Sequence, residues 1–268
     1  MQQLKFFDTH NHLDYVEQQT QCPLAELLHN AQQHSVEKIL IVAVMAKDFK
    51  KIEKMTALYP QQLVYALGLH PLHLLQHQPE HLQQLAQLLA QRPKGCTAIG
   101  EIGLERAIPE LITPQHWRKQ CELLENQLQL AKHYALPVNI HSRKAHEQLV
   151  PFLKRADLTV TGVIHGFAGS YQQAKRFVDL GYKIGVGGTI TYQRANKTRQ
   201  TITKLPLESL LLETDSPDMP VFGFQGQPNR PERIRQIFEV LCQLRKEPAQ
   251  HIAEVIWQQS CGLFAIEK

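Results

Sequence analysis

The residues best suited to chemistry are histidines and carboxylates that follow short apolar runs of the chain. The first such group is the segment 8–12, Asp-Thr-His-Asn-His, which comes directly after Phe6-Phe7. Alternate side chains of a β-strand point to the same side, so His10 and His12 can present their imidazoles to one metal ion. The spacing therefore predicts that the first strand ends in a metal site.

The same pattern recurs at four later apolar runs. The residues at the ends of these runs are Glu101, His141, His165 and Asp215. Parallel strands of one sheet share a carboxyl edge, so all six side chains converge if every strand is parallel. A lone histidine at a strand end is usually a hydrogen-bonded structural residue, but six acidic and imidazole groups in this arrangement favour a metal centre.

Imidazole and carboxylate ligands without thiolate suit zinc, magnesium, manganese or cobalt, and the sequence does not distinguish among these metals. A catalytic zinc usually takes three ligands from protein, so six predict two ions. We expect His10, His12 and Asp215 on one ion, His141 and His165 on the other, and Glu101 between them. Two such ions activate a water in phosphoester hydrolysis, and Asp215 is also placed to accept its proton as general base.

The elements that must position these ligands are eight apolar, β-branched runs separated by amphipathic stretches such as 80–92 and 115–135. Strands that alternate with helices predict a parallel sheet, and eight such units close into a TIM-like (β/α)8 barrel of about 250 residues. We therefore expect one domain over residues 1–268. The runs are 4–8, 38–44, 63–69, 96–100, 137–141, 161–165, 183–187 and 210–215.

Composition excludes several other classes of protein. No apolar stretch reaches the length of about 18 residues that a membrane span needs. Lys5 and Asp8 interrupt the apolar stretch that a signal peptide needs, so we expect a cytoplasmic protein with no membrane association. The five cysteines are odd in number and widely spaced, which disfavours a disulfide framework. A net charge of +4 is too small to identify a nucleic-acid partner by itself.

Three further residues are candidate substrate contacts. Arg143 follows the His141 ligand directly, Arg230 lies in the loop after the eighth run, and His70 follows the third. A planar guanidinium matches two phosphate oxygens, so both arginines are predicted to contact an anionic substrate group. The alternative is structural: either arginine can tie loops together through backbone carbonyls, and His70 can be a hydrogen-bonded core residue.

Several segments together resemble the signature blocks of the TatD family of metal-dependent hydrolases, within the amidohydrolase superfamily. The resemblance runs in order along nearly the whole chain, and the segment 223–231 is most similar to the YjjV-like branch. It implies a TIM-like barrel, one or two metal ions at the six positions, and, as for several members, exonuclease activity on DNA or RNA. The matching blocks are 8–14, 68–71, 100–104, 136–143, 165–170 and 212–217.

The chain departs from the family pattern in two places. Glu105-Arg106-Ala107 stands where many members have aspartate and aromatic residues, so we expect that loop to shape the pocket differently. Ala168 replaces the usual serine and removes one hydroxyl. A carbamylated lysine bridge, common in neighbouring hydrolases, would need a lysine where Glu101 stands.

The sequence thus predicts a metal-dependent hydrolase, most simply a phosphodiesterase of TatD type with DNA, or RNA, as a transient substrate and no obligate protein partner. Hydrolysis of a small amide, ester or lactone is the alternative within enzymes, because the same scaffold polarises carbonyls. A metal-binding protein without turnover is the alternative outside them.

Overall fold

The computed structural model describes residues 4–266, and within them one parallel sheet runs in the order β1 to β8. Each strand pairs in parallel with the next one along the chain. The strands are β1 (Phe6–Asn11), β2 (Val36–Val42), β3 (Leu63–Leu67), β4 (Cys96–Glu105), β5 (Val138–Arg143), β6 (Gly162–Ile164), β7 (Lys183–Val186) and β8 (Leu210–Leu212).

Helices connect the strands and cover the outside of the sheet, as right-handed crossovers between parallel strands require. The longest helix begins after Thr113, whose hydroxyl accepts a hydrogen bond from the His116 backbone N–H at 3.3 Å. The helices are α1 (Leu13–Thr20), α2 (Leu24–Gln33), α3 (Phe49–Leu58), α4 (Pro79–Ala90), α5 (Pro114–Tyr134), α6 (His146–Ala156), α7 (Tyr171–Asp179), α8 (Asn196–Lys204), α9 (Ile234–Leu244) and α10 (Ala249–Leu263).

The first and last strands meet and nearly close the barrel. Asn11 forms an isolated parallel bridge with Ser216, and the backbone N–H of His12 donates to the Ser216 carbonyl at 2.8 Å. The buried Asp8 carboxylate accepts hydrogen bonds from the backbone N–H and hydroxyl of Thr214 at 2.8 and 2.6 Å. The predicted (β/α)8 barrel is confirmed.

Strand alternation divides the core into two layers. Phe6, Ile39 and Ile41 belong to the large cluster between strands and helices, whereas Phe7 belongs to the cluster inside the barrel. The Phe7 ring lies 5.7 Å from that of Phe264, which comes directly after α10. Phe7 precedes His10 along β1, so this apolar cluster fills the barrel on the amino-terminal side of the candidate ligands.

The observed strand limits differ from the expected ones around the site. β4 was expected to end at residue 100 but continues to Glu105, because Gly103, Leu104 and Glu105 pair with β5. β8 ends at Leu212 instead of 215, because its pairing with β7 ends where Leu212 lies opposite Val186; Asp215, three residues later, has a left-handed backbone with φ 56°. Within residues 4–266, no helix is long and apolar enough to cross a membrane.

Candidate metal centre

All six predicted ligands lie together at the carboxyl side of the barrel. Their side chains are between 0 % and 13 % exposed, so each is withdrawn from bulk water. Glu101 and His141 lie inside β4 and β5, not beyond their ends as expected, because those strands are longer than the apolar runs. The side chains that meet are His10, His12, Glu101, His141, His165 and Asp215.

The Glu101 carboxylate lies between two groups of histidines. Its Oε2 atom is 3.3 Å from Nε2 of His10 and 3.4 Å from Nε2 of His12. Its Oε1 atom is 2.7 Å from Nε2 of His165 and 3.3 Å from Nδ1 of His141. Each oxygen therefore faces one of the two ligand groups, which is the arrangement expected of a bridging carboxylate.

Asp215 belongs to the first of these groups. Its Oδ1 atom lies 3.3 Å from Nε2 of His10 and 3.6 Å from Nε2 of His12. Its backbone N–H donates to the His10 carbonyl at 2.9 Å, which fixes the loop after β8 against β1. These three residues form a compact set of ligand atoms within 4.8 Å of one another, as the sequence predicts for one ion.

The second predicted set is less simple, because two overlapping sets share Glu101. One consists of His10, Glu101 and His165, and the other of His70, Glu101 and His141. The structure thus brings both His141 and His165 to Oε1 of Glu101, but each histidine belongs to a different set of three ligand atoms. It also adds His70, which we predicted as a substrate contact.

The ring nitrogens that face away from the centre have oxygen partners. His10 Nδ1 donates to the side-chain oxygen of Asn139 at 2.7 Å, and His12 Nδ1 donates to the Val42 carbonyl at 3.0 Å. His141 Nε2 donates to the Glu105 carboxylate at 3.1 Å. A nitrogen that donates outward leaves its partner nitrogen with a lone pair, so these three rings are held in the form that binds a cation.

In His70 the proton is carried by the ring nitrogen that faces the centre. Its Nδ1 accepts a hydrogen bond from the Leu72 backbone N–H at 3.0 Å, so its Nε2 carries the proton and donates to Glu101 Oε1 at 2.7 Å. Burial lowers the pKa of His70 to about 4, which keeps the ring neutral. In this state His70 orients Glu101 and offers no free lone pair to a metal.

The donor set fits a divalent cation. Nε2 of His10 and Nδ1 of His165 are buried nitrogens without a hydrogen-bond partner, and such atoms are rare in folded proteins. The lone pair of His10 Nε2 is directed at the space between Glu101 and Asp215, where a cation would satisfy all three. Nitrogen and oxygen donors without thiolate suit the metals that the sequence predicts, and do not select one of them.

Charges within the centre point the same way. Burial lowers the pKa of His10, but the hydrogen bond to Glu101 and the negative charges of Glu101 and Asp215 together outweigh this effect and raise it to about 10. Burial also lowers the pKa of His141, but the hydrogen bonds and negative charges of Glu101 and Glu105 together raise it to about 9. Protons therefore take the place of a cation in the metal-free site, and metal binding must displace them.

Two residues that position ligands were missed in the sequence. Asn139 lies two residues before His141 in β5, and strand alternation was the signal that it points into the barrel. Glu105 was expected to begin a loop that shapes the pocket. It is instead the fully buried last residue of β4, where it pairs with Arg143 across the sheet and accepts from His141.

A glycine allows β3 to approach the Glu101 backbone. A Cβ atom at Gly68 would lie 2.5 Å from the Gly100 carbonyl carbon and 2.8 Å from the Glu101 nitrogen. Only a residue without a side chain fits so close to a neighbouring backbone. Gly68 thereby brings His70, two residues later, within reach of the Glu101 carboxylate.

A cavity of about 660 Å³ opens over the ligands. Its wall includes His70, Arg143 and Lys144, as well as Ala168. The Arg143 side chain is 61 % exposed, with Nη1 3.9 Å from Glu105 Oε2, so its guanidinium lies at the rim. Arg230 is not among the residues that line this cavity: its Nη1 lies 3.9 Å from Glu232 Oε1 instead.

Comparison with known proteins agrees with this geometry. The family model described as TatD related DNase matches residues 7–265. The chain belongs to the TatD family. As a TatD protein it is 62 % identical over 98 % of its length to the whole of a Haemophilus influenzae protein named as an uncharacterized metal-dependent hydrolase.

Two further relatives of this TatD protein are informative. The crystal structure of YjjV, a TatD homologue from Escherichia coli, superposes with a TM-score of 0.92 at 51 % identity and covers 98 % of both chains. The human protein named deoxyribonuclease TATDN3 is 29 % identical over 90 % of this chain and 88 % of its own. The chain is thus a metal-dependent hydrolase of this family, and it is more similar to the Haemophilus protein and to YjjV than to TATDN3.

Proposed function

We propose that this TatD-family hydrolase is a phosphodiesterase that cleaves DNA with the help of two divalent metal ions. The observation that carries the proposal is the Glu101 carboxylate, whose two oxygens face separate ligand groups 2.7–3.4 Å away. Paired metal sites are characteristic of enzymes that hydrolyse phosphoesters. The family description and the name of the human relative support DNA as the substrate.

In this proposal His10, His12 and Asp215 hold one ion, while His141 and His165 hold the other, with Glu101 shared. When bound, the ions supply an acidified water and charge stabilisation at the scissile phosphate. Asp215 would serve as the general base: its pKa is lowered because hydrogen bonding and charge from His12, together with the charges of His10 and His165, outweigh burial, so its carboxylate is ionised at neutral pH and can hold a proton.

Positive charge at the cavity rim supports an anionic substrate. Arg143 and Lys144 both line the cavity, and Arg143 extends a largely exposed guanidinium beyond its buried neighbour Glu105. A guanidinium binds two phosphate oxygens at once. Arg143 is therefore proposed to hold a phosphate of the DNA backbone. His70 keeps the Glu101 carboxylate oriented through its 2.7 Å hydrogen bond to Oε1.

The proposal is tested by stripping the purified protein of metal and reloading it separately with Mg²⁺, Mn²⁺, Zn²⁺ and Co²⁺. Each form is assayed on single-stranded DNA, duplex DNA, RNA and a panel of small esters, amides and lactones, with Asp215→Asn as the inactive control. We expect metal-dependent release of nucleotides that the control lacks. Turnover confined to the small neutral substrates would overturn the phosphodiesterase assignment, and metal binding without any turnover would show a binding protein.

A further inference from the structure

A second, smaller cavity adjoins the metal cavity. It has a volume of about 270 Å³ and shares Thr189 and Met219 with the larger one, so the two form a continuous groove. Its remaining wall includes Tyr192 and Arg194, in the segment between β7 and α8. A molecule that extends beyond the metal centre on this side must cross Thr189 and Met219 to reach Tyr192.

The Tyr192 ring is anchored at its far end and is flanked by a guanidinium and a second aromatic ring. Its hydroxyl donates to the Pro220 carbonyl at 2.6 Å, which fixes the ring at the groove. The Arg194 guanidinium carbon lies 5.2 Å from the ring centroid. Phe222 meets the ring edge-on at 5.9 Å and is 59 % exposed, which is unusual for a large apolar side chain.

Charge separates this cavity from another one with a similar aromatic pair. Between α5 and α6, Arg155 lies 4.7 Å from the Phe152 ring, but that cavity is also lined by Glu122 and Glu125. Among the described residues that line the Tyr192 cavity, none is acidic and Arg194 is positively charged. Of these two cavities, the one beside the metal centre therefore combines an aromatic surface with an uncompensated positive charge that attracts a phosphate.

We propose that Tyr192, Phe222 and Arg194 form a nucleotide subsite, in which a base stacks on the aromatic rings and Arg194 contacts the adjacent phosphate. This proposal rests on the proposed phosphodiesterase function. Stacking on aromatic side chains requires an unpaired base, and the scissile phosphate must descend to ligands that are at most 13 % exposed. The subsite thus selects a single-stranded segment of nucleic acid over an intact duplex.

The subsite is tested by direct binding and by activity. Binding of fluorescent oligothymidylates of one to six nucleotides is measured by anisotropy on metal-free protein, for the wild type, Tyr192→Ala, Tyr192→Phe and Phe222→Ala. The kcat/KM values of the metal-loaded proteins are compared for an oligonucleotide and for a small ester without a nucleobase, bis(p-nitrophenyl) phosphate. Phe152→Ala removes the similar ring between α5 and α6 and serves as the matched control.

We expect Tyr192→Ala to weaken oligonucleotide binding and kcat/KM by about 5- to 150-fold, the effect of losing one base–aromatic stack. Tyr192→Phe keeps the ring and should stay within about threefold of the wild type, as should Phe152→Ala. Cleavage of the small ester should fall much less than cleavage of the oligonucleotide in Tyr192→Ala, because this ester carries no nucleobase to stack on the ring. An unchanged melting temperature for Phe222→Ala, whose side chain is exposed, separates loss of stacking from loss of folding.

The two proposals fail in different ways. If the wild type cleaves the small ester but Tyr192→Ala binds oligonucleotides as tightly as the wild type, the subsite is wrong and the function stands. If no phosphodiester is cleaved while binding still depends on Tyr192, the function is wrong and the subsite stands. Tighter binding of duplex than of single strands would overturn the selectivity argued from the unpaired base.

Discussion

Replacing Glu105 with alanine should weaken one metal position and spare the other. Glu105 is fully buried, and its carboxylate accepts from His141 Nε2 at 3.1 Å and from the Ala107 backbone N–H at 2.5 Å. Without this acceptor, the His141 ring loses the bond that directs its Nδ1 lone pair toward Glu101. Loss of such an outer partner typically reduces metal affinity about 10- to 100-fold.

The effect should be confined to the ion that His141 holds. His10 and His12 have their own outer partners, Asn139 and the Val42 carbonyl, which the substitution does not touch. A titration with Zn²⁺ or Mn²⁺ against a competing chelator should therefore show one binding event weakened about 10- to 100-fold. The affinity of the other event, which involves Asp215, should change by less than about threefold. The histidines of that ion are hydrogen-bonded to Asn139 and to the Val42 carbonyl, and not to Glu105.

Two companion variants sharpen the measurement. Glu105→Gln keeps one oxygen, which can accept from His141 or from Ala107 but not from both, so its loss of affinity should be intermediate. Glu125→Ala removes an exposed glutamate of α5 that pairs with Arg155 at 2.7 Å, and it should leave both events unchanged. Equal weakening of both events by Glu105→Ala, or no weakening of either, would refute the role assigned to Glu105.

Three other perturbations have definite expected outcomes. Asp215→Asn should lower kcat about 100-fold or more while the protein remains folded by circular dichroism, and more than a tenth of wild-type activity at full metal content would contradict its role as base. Arg143→Ala should lower kcat/KM for oligonucleotides about 10-fold more than for a small neutral ester, whereas Arg235→Ala, which breaks an exposed ion pair in α9, should affect neither. Burial lowers the pKa of His77 to about 4, below the 6.5 of the unfolded chain, so the unfolded state takes up the proton first and this residue costs stability as pH falls from 6.5 toward 4. In urea titrations, His77→Gln should reduce the loss of unfolding free energy over that pH range by about 1–2 kcal/mol. The control is His133→Gln, a substitution of an exposed histidine, and an identical pH dependence for His77→Gln and wild type would disprove the contribution of His77.

The sequence predicts the barrel and the six converging ligands because both follow from local patterns. Apolar runs mark the strands, and parallel strands share one carboxyl edge, so His10 and Asp215 can be placed together without knowledge of distant contacts. Strand ends were less predictable. Gly103 interrupts the apolar pattern of β4, yet pairing with His141 carries the strand on to Glu105.

The outer partners of the ligands could not be predicted, since they depend on the register between strands. Nothing local to Glu105 indicates that it accepts from His141, and its position after the glycine-rich segment is typical of a loop. The substrate contacts illustrate the same limit. Arg143 is held near the centre by its strand, whereas the Arg230 guanidinium lies 3.9 Å from Glu232 Oε1, a contact that no local pattern indicates.

Closure of the barrel between β1 and β8 also determines when the protein can first become active during its synthesis. The chain leaves the ribosome from its amino terminus, so His10 and His12 emerge early, while their partner Asp215 emerges only after most of the chain. The hydrogen bond between Asp8 and Thr214 spans 206 residues, so it can form only after Thr214 has been synthesised. A nascent or prematurely terminated chain that lacks Asp215 therefore carries histidines that cannot complete the metal centre.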